Sequence, residues 1–170
     1  MDATASSESN AVKNKTTIER TSDRELVVTR TINGPARIVF EAWRNPDHFK
    51  KWWVPKSAPI TLLSIQMDVR VGGGYRLEFG MTGHPPMAFH GKYLEVTPHS
   101  RIVWTNDENG EGNGPVSTVT FEERGGKTVV VMHELYPSKQ SLDEHLASGA
   151  TAGNVETFDQ LDEYVASMKS

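Results

Sequence analysis

The sequence predicts an α+β protein in which a strongly curved antiparallel sheet of about seven strands wraps around one long C-terminal helix, with two short helices after the first strand. Two observations carry this reading. From Ile60 onward the apolar residues alternate with polar ones, and turn residues interrupt them again and again, as in consecutive hairpins. The period then changes over Ser141 to Met168, where Leu142, Leu146, Ala150, Gly153, Thr157, Leu161, Val165 and Met168 recur at three- and four-residue steps along one helical stripe. A sheet curved around that stripe buries its own concave face and the helix together.

Residues 1–21 are rich in Ser, Thr, Asn, Glu and Lys and offer almost nothing apolar to bury, so they are expected to form a disordered tail. Residues 22–170 are expected to form a single domain. Glu25 to Ile32 is a β-branched strand closed by the turn Asn33-Gly34. Pro35 suits the first turn of a helix that buries Ile38, Val39, Ala42 and Trp43. Asn45-Pro46-Asp47 ends it and starts a short second helix carrying Phe49, Trp52 and Trp53. Six further strands follow, at Thr61–Val69, Gly74–Gly80, Phe89–Thr97, Arg101–Asn106, Val116–Glu123 and Lys127–Tyr136, joined by turns such as Gly83-His84-Pro85-Pro86 and Arg124-Gly125-Gly126. Ser141 and Glu144 have capping-box spacing at the start of the long helix. Within that helix, Ser148 to Gly153 contains two glycines and only small side chains, which costs helix stability. Such a segment fits a kink, a break into two helices, close packing on the sheet, or empty volume beneath the helix.

Composition narrows the function. The 170 residues contain no cysteine, which removes disulfides, thiolate nucleophiles and Cys-ligated metals. A net charge of −4 argues against a nucleic-acid or anionic-membrane surface. No apolar run approaches the ~20 residues of a membrane span, and the N-terminus lacks the order of a secretory signal, so a cytoplasmic location is expected. Gly72-Gly73-Gly74 precedes an alternating strand rather than a helix, which fits a hairpin and not a phosphate loop. Asp68 and Arg70, two residues apart, are placed to pair as a structural ion pair. The six histidines show no zincin spacing, and neither a metal nor an organic cofactor is expected.

Several motifs, in order, resemble the branch of the START/Bet v 1 (SRPBCC) superfamily named for activators of the Hsp90 ATPase, the AHSA1-like proteins. They are Arg24 to Arg30, Ala42-Trp43 with Asn45-Pro46-Asp47-His48, Trp52-Trp53-Val54-Pro55, Asp68 to Tyr75, Gly91 to Pro98, Val119 to Glu123, and Leu161 to Tyr164. What the resemblance implies is the helix-grip fold, with a hydrophobic cavity between the long helix and the sheet. It further implies binding of lipids or polycyclic molecules, a cyclase or hydrolase activity, or a link to Hsp90 and the stress response. Many relatives carry Gly-Trp in the long helix where this chain has Gly153-Asn154, so their ligand preferences do not transfer. With that resemblance, the empty-volume reading of the small-residue segment moves ahead.

The aromatic residues Trp43, Trp52, Trp53, Tyr75, Phe79, Tyr93, Trp104 and Phe158 are expected to face the core or a cavity mouth, with His90, Tyr93 and Glu134 as polar anchors. His133 is a second strand histidine that could face the same side, although a strand histidine is more often satisfied by a neighbour or solvent-facing. Met132, which shares a strand face with Glu134, and Gly153 and Thr157 on the helix complete the candidate cavity lining. No catalytic constellation stands out. The expected partner is a hydrophobic small molecule bound by a monomer or homodimer; Hsp90 is the disfavoured alternative, because the resemblance covers one of the activators' two domains and this chain leaves no room for the other.

Overall fold

The computed structural model describes residues 14–107, 114–149 and 151–168. Eight strands, β1 (Thr17–Arg20), β2 (Glu25–Ile32), β3 (Thr61–Met67), β4 (Gly74–Met81), β5 (His84–Thr97), β6 (Arg101–Thr105), β7 (Val116–Arg124) and β8 (Lys127–Leu135), form one antiparallel sheet. Its order is β1-β2-β8-β7-β6-β5-β4-β3. β3 to β8 therefore make a meander, and β2 closes against the last strand of it. The helices α1 (Ala36–Arg44) and α2 (Pro46–Phe49) carry the chain from β2 to the far edge at β3. Two helices, α3 (Lys139–Ala147) and α4 (Thr151–Met168), end the chain.

The sheet is built as hairpin chemistry dictates, with register shifts at three places, between Leu62 and Ser64, Phe79 and Met81, and Tyr93 and Glu95. Gly125 and Gly126 both take positive φ in the turn between β7 and β8, a conformation that glycine adopts without a Cβ penalty. β5 begins earlier than the sequence suggests, because its two prolines fall where the register shifts between Phe79 and Met81. Pro85 and Pro86 have no N–H to give the ladder, and a bulge is where a strand tolerates that loss. Gly91 has a different duty: a Cβ there would lie 1.9 Å from the Thr105 carbonyl oxygen.

Two expectations change at the chain ends. Thr17–Arg20 is not tail but an edge strand, paired residue for residue with Leu26–Thr29. Only Ile18 along it packs against the core, so the segment has no apolar periodicity to announce it; its pairing comes from the free edge of β2. Residues 1–13 lie outside those described. The long C-terminal helix is broken in two. Gly149 takes φ 79° just after α3, the left-handed ending that glycine allows. Ser138, not Ser141, caps α3, its side chain accepting the Ser141 N–H at 3.0 Å. Ala150 lies outside the described residues.

The core lies between α1, α4 and the concave face of the sheet. Along β2 every second residue is buried, at Leu26, Val28, Arg30 and Ile32, the period-2 pattern of a strand with one covered face. Trp52 is fully buried, donates its indole N–H to the Ala42 carbonyl at 3.0 Å, and packs edge-on to Trp43, Phe49 and Trp53. α2 ends at Phe49, so Trp52 and Trp53 lie in the turn beyond it rather than on a helix.

Polar contacts fix α4 on this core. Buried Gln160 donates to the carbonyls of Trp52 and Val54 and accepts from the Lys56 N–H, each at 2.9 Å, while Glu156 accepts from the Ser57 N–H at 2.9 Å. On the other flank Arg30, 3% exposed, bonds Asp159 at 2.5 Å and Asp162 at 3.1 Å. α4 is thereby fastened to the 52–57 loop on one side and to β2 on the other.

Candidate functional site

Beneath α3 and α4 the sheet leaves a cavity of about 860 Å³, within the size range of small-molecule sites. Its walls come from every layer: Trp43 from α1, Trp53 from the loop after α2, Tyr75 and Phe79 from β4, His90 and Tyr93 from β5, Trp104 from β6, Glu134 from β8, Gly153 and Thr157 from α4. The space exists because the helical roof is built of small residues at its centre. A Cβ added at Gly153 would touch only Pro55, at 3.7 Å, an ordinary contact, so close helix–sheet packing does not explain that glycine.

Ten of the twelve residues singled out from the sequence line this cavity, and two do not. Met132 is 4% exposed and packs in the core, and Phe158 is 2% exposed with its ring 6.2 Å from that of Trp43. Met132 was expected there because it shares a strand face with Glu134, and Phe158 as an aromatic on the long helix. On β8 the face shared by Met132 and Glu134 is concave, but the core fills its middle and the cavity takes only its end. His133 lies on the opposite face and bonds Glu25 at 2.8 Å.

The polar groups of the site form one connected chain across the sheet. The Tyr75 hydroxyl donates to the Asn106 side-chain oxygen at 3.1 Å, and the Asn106 amide donates to Ser117 Oγ at 2.9 Å. Ser117, fully buried, donates to Glu134 Oε2 at 3.0 Å, and the Tyr136 hydroxyl donates to Glu134 Oε1 at 3.1 Å. Such a chain holds each side chain in one orientation, since every member is both oriented by and orienting its neighbour. His145 of α3 packs its ring 5.4 Å from that of Tyr136, and its Nε2 is buried without a hydrogen-bond partner among the described residues. Asn106, Ser117, Tyr136 and His145 escaped the sequence reading because they come from four separate segments, and only the sheet register aligns them. The pairing Ser117↔Glu134 between β7 and β8 is the signal that could have found one link.

Tyr93 is 6% exposed, and among the described residues its hydroxyl has no hydrogen-bond partner. Burial, followed by the Asp68 charge, pushes its ionisation well above the ordinary tyrosine value. Folding thus favours the neutral phenol. The unfolded chain ionises near pH 10 while folded Tyr93 does not, so stability is expected to fall as pH rises above that point. An absorbance titration of phenolate should show a late phase that Tyr93→Phe removes; a Tyr93→Phe curve superposing on wild type would contradict the assignment.

Among the described residues no group of three or more His, Asp or Glu is arranged to hold a metal ion, and no helix is long and apolar enough to cross a membrane. Asp68 and Arg70 do pair, at 2.8 Å, in the exposed turn after β3 rather than on the strand. Fold and site together define a helix-grip protein, a curved antiparallel sheet with C-terminal helices packed over a cavity on its concave side.

Residues 33–166 match the family described as activator of Hsp90 ATPase homolog 1-like protein, and the chain belongs to that family. Solved structures agree in fold. A protein of Nitrosomonas europaea, 22% identical, superposes with a TM-score of 0.78 over 88% of this chain and 99% of its own. One from Rhodobacter sphaeroides, 17% identical, gives 0.80 over 90% and 99%. An AHSA1-like protein from Aeromonas hydrophila, 20% identical, gives 0.66 over 84% and 94%. Among curated proteins, none matches this sequence.

Proposed function

We propose that the protein binds an apolar or polycyclic small molecule, or a lipid of similar bulk, in the cavity between the C-terminal helices and the sheet. The observation that carries this reading is the cavity of about 860 Å³, walled by aromatic rings and crossed at one end by a hydrogen-bonded polar chain. Apolar walls supply affinity in proportion to the area they remove from water, and a few fixed polar groups set orientation. Catalysis is not needed to account for the site. Activation of Hsp90, which the family's description suggests, finds no specific support in the geometry of the cavity, and cyclase or hydrolase chemistry would have to start from Glu134 or His145.

Truncation of the walls tests the proposal. Trp104→Ala and Phe79→Ala are expected to weaken binding of an apolar fluorophore by about tenfold or more, since each removes over 1.4 kcal/mol of contact. They should destabilise the fold by less than the 3–5 kcal/mol typical of a buried aromatic, because these side chains border space rather than fill it. Binding unchanged in both variants, alongside full core-type destabilisation, would mean the rings serve packing alone.

A further inference from the structure

The charges that line the cavity are of one sign. Asp107, Glu134 and Glu144 are among its lining residues, and among the described residues no lysine or arginine lines it. Among the described residues, His90 and His145 are the only lining ones able to carry positive charge. None of the three carboxylates takes part in an ion pair among the described residues. Asp107 accepts only a neutral hydroxyl, that of Thr105 at 3.1 Å, and Glu144 accepts the Gln140 amide at 3.0 Å. Glu134 accepts Ser117 and Tyr136, again neutral donors. A carboxylate offers about four lone-pair positions, so Glu134 keeps acceptor capacity beyond those two.

We infer that the cavity is built for an apolar molecule bearing a protonated amine, with the ammonium directed to Glu134 and the apolar body held between the aromatic walls. The inference rests on the small-molecule-binding reading and specifies its ligand class. Three features converge. Glu134 is held in place by two neutral donors that orient it without cancelling its charge. Trp43, Trp53 and Trp104 line the same space, and indole rings attract cations as well as apolar surface. Tyr93, a buried residue whose hydroxyl has no hydrogen-bond partner among the described residues, adds a group able to accept a hydrogen bond while staying neutral. A carboxylate or phosphate headgroup would instead lose its hydration to meet like charge, a combination that burial makes costly. Fatty acids and phospholipids are thereby disfavoured, although their tails would suit the walls.

Three probes with one ring system and different headgroups separate this inference from the reading beneath it: pyrenylmethylamine, pyrenylmethanol and pyrenecarboxylate, titrated by fluorescence into the wild-type protein near pH 7. The amine is expected to bind at least tenfold more tightly than the carboxylate, with the alcohol between them. Glu134→Gln removes the charge and keeps one acceptor oxygen, its NH2 donating to whichever of the Ser117 and Tyr136 hydroxyls faces it, and is expected to narrow the amine-to-alcohol ratio at least fivefold. The wild-type ranking needs no variant, so a misfolded Glu134→Gln protein would not rescue the inference. Alcohol binding with the carboxylate equal to or tighter than the amine would overturn the ligand class and leave the cavity reading standing. No binding of any of the three would overturn both.

Discussion

Trp52→Ala is expected to lower stability by about 4 kcal/mol, the cost of emptying a core site that held a large aromatic side chain, and in a domain of this size that is a fall of roughly 10 °C in unfolding temperature. Trp52 is wholly buried, its N–H is satisfied by the Ala42 carbonyl, and three aromatic rings surround it. It does not line the cavity. Truncation therefore leaves a new void where there was none and removes the indole donor from the Ala42 carbonyl. Thermal and urea unfolding of this variant beside Trp104→Ala would separate a core tryptophan from a cavity tryptophan. Equal losses in the two would erase the distinction.

Arg30→Met is expected to cost about 3 kcal/mol, at the lower end for breaking a buried pair, because Asp159 is 40% exposed and water can partly replace its partner. Asp162 cannot recover so easily, being 12% exposed. It also accepts the Asn33 N–H at 3.0 Å, so this carboxylate ties the β2 turn and α4 to one guanidinium. The loss should appear as weakened docking of α4, read as faster amide exchange along 157–165 before global unfolding. Arg70→Ala is the control: its pair with Asp68 is exposed on both sides, at 73% and 54%, and should change stability by less than about 0.5 kcal/mol. Similar effects of the two substitutions would show that burial does not set the worth of the Arg30 pair.

The strands were legible because their signals are local. Glu25–Ile32 matches its expected bounds, and β4, β6, β7 and β8 lie within a residue of theirs, since glycine turns and alternating residues act over a few positions. β1 was not legible, because Thr17–Arg20 is stabilised by pairing with a distant edge rather than by any stripe of its own. The break at Gly149 was visible only as one alternative among several, since small residues lower helix stability without saying whether the chain bends, packs or leaves space. Cavity walls were read from aromatic residues on predicted strands, which works where the concave face is open, as at Tyr75 and Trp104. The strand-face reading that added Met132 beside Glu134 fails because the core fills that part of the face. Gln160 was missed for a related reason: an apolar stripe says nothing of a polar residue whose three hydrogen bonds go to a loop about a hundred residues earlier.

Titration of an apolar fluorophore into the wild-type protein and Gly153→Leu tests the existence of a ligand space beneath α4 most directly. The leucine should point into the cavity without a backbone clash, its Cβ meeting only Pro55 at 3.7 Å, and replacing a helical glycine should itself favour the helix by up to about 1 kcal/mol. The wild type is expected to bind saturably, and the variant to bind at least tenfold more weakly at an unfolding temperature no lower than wild type. A wild type that binds no apolar probe, together with a Gly153→Leu protein that collapses, would show that the small residues serve close packing of helix on sheet.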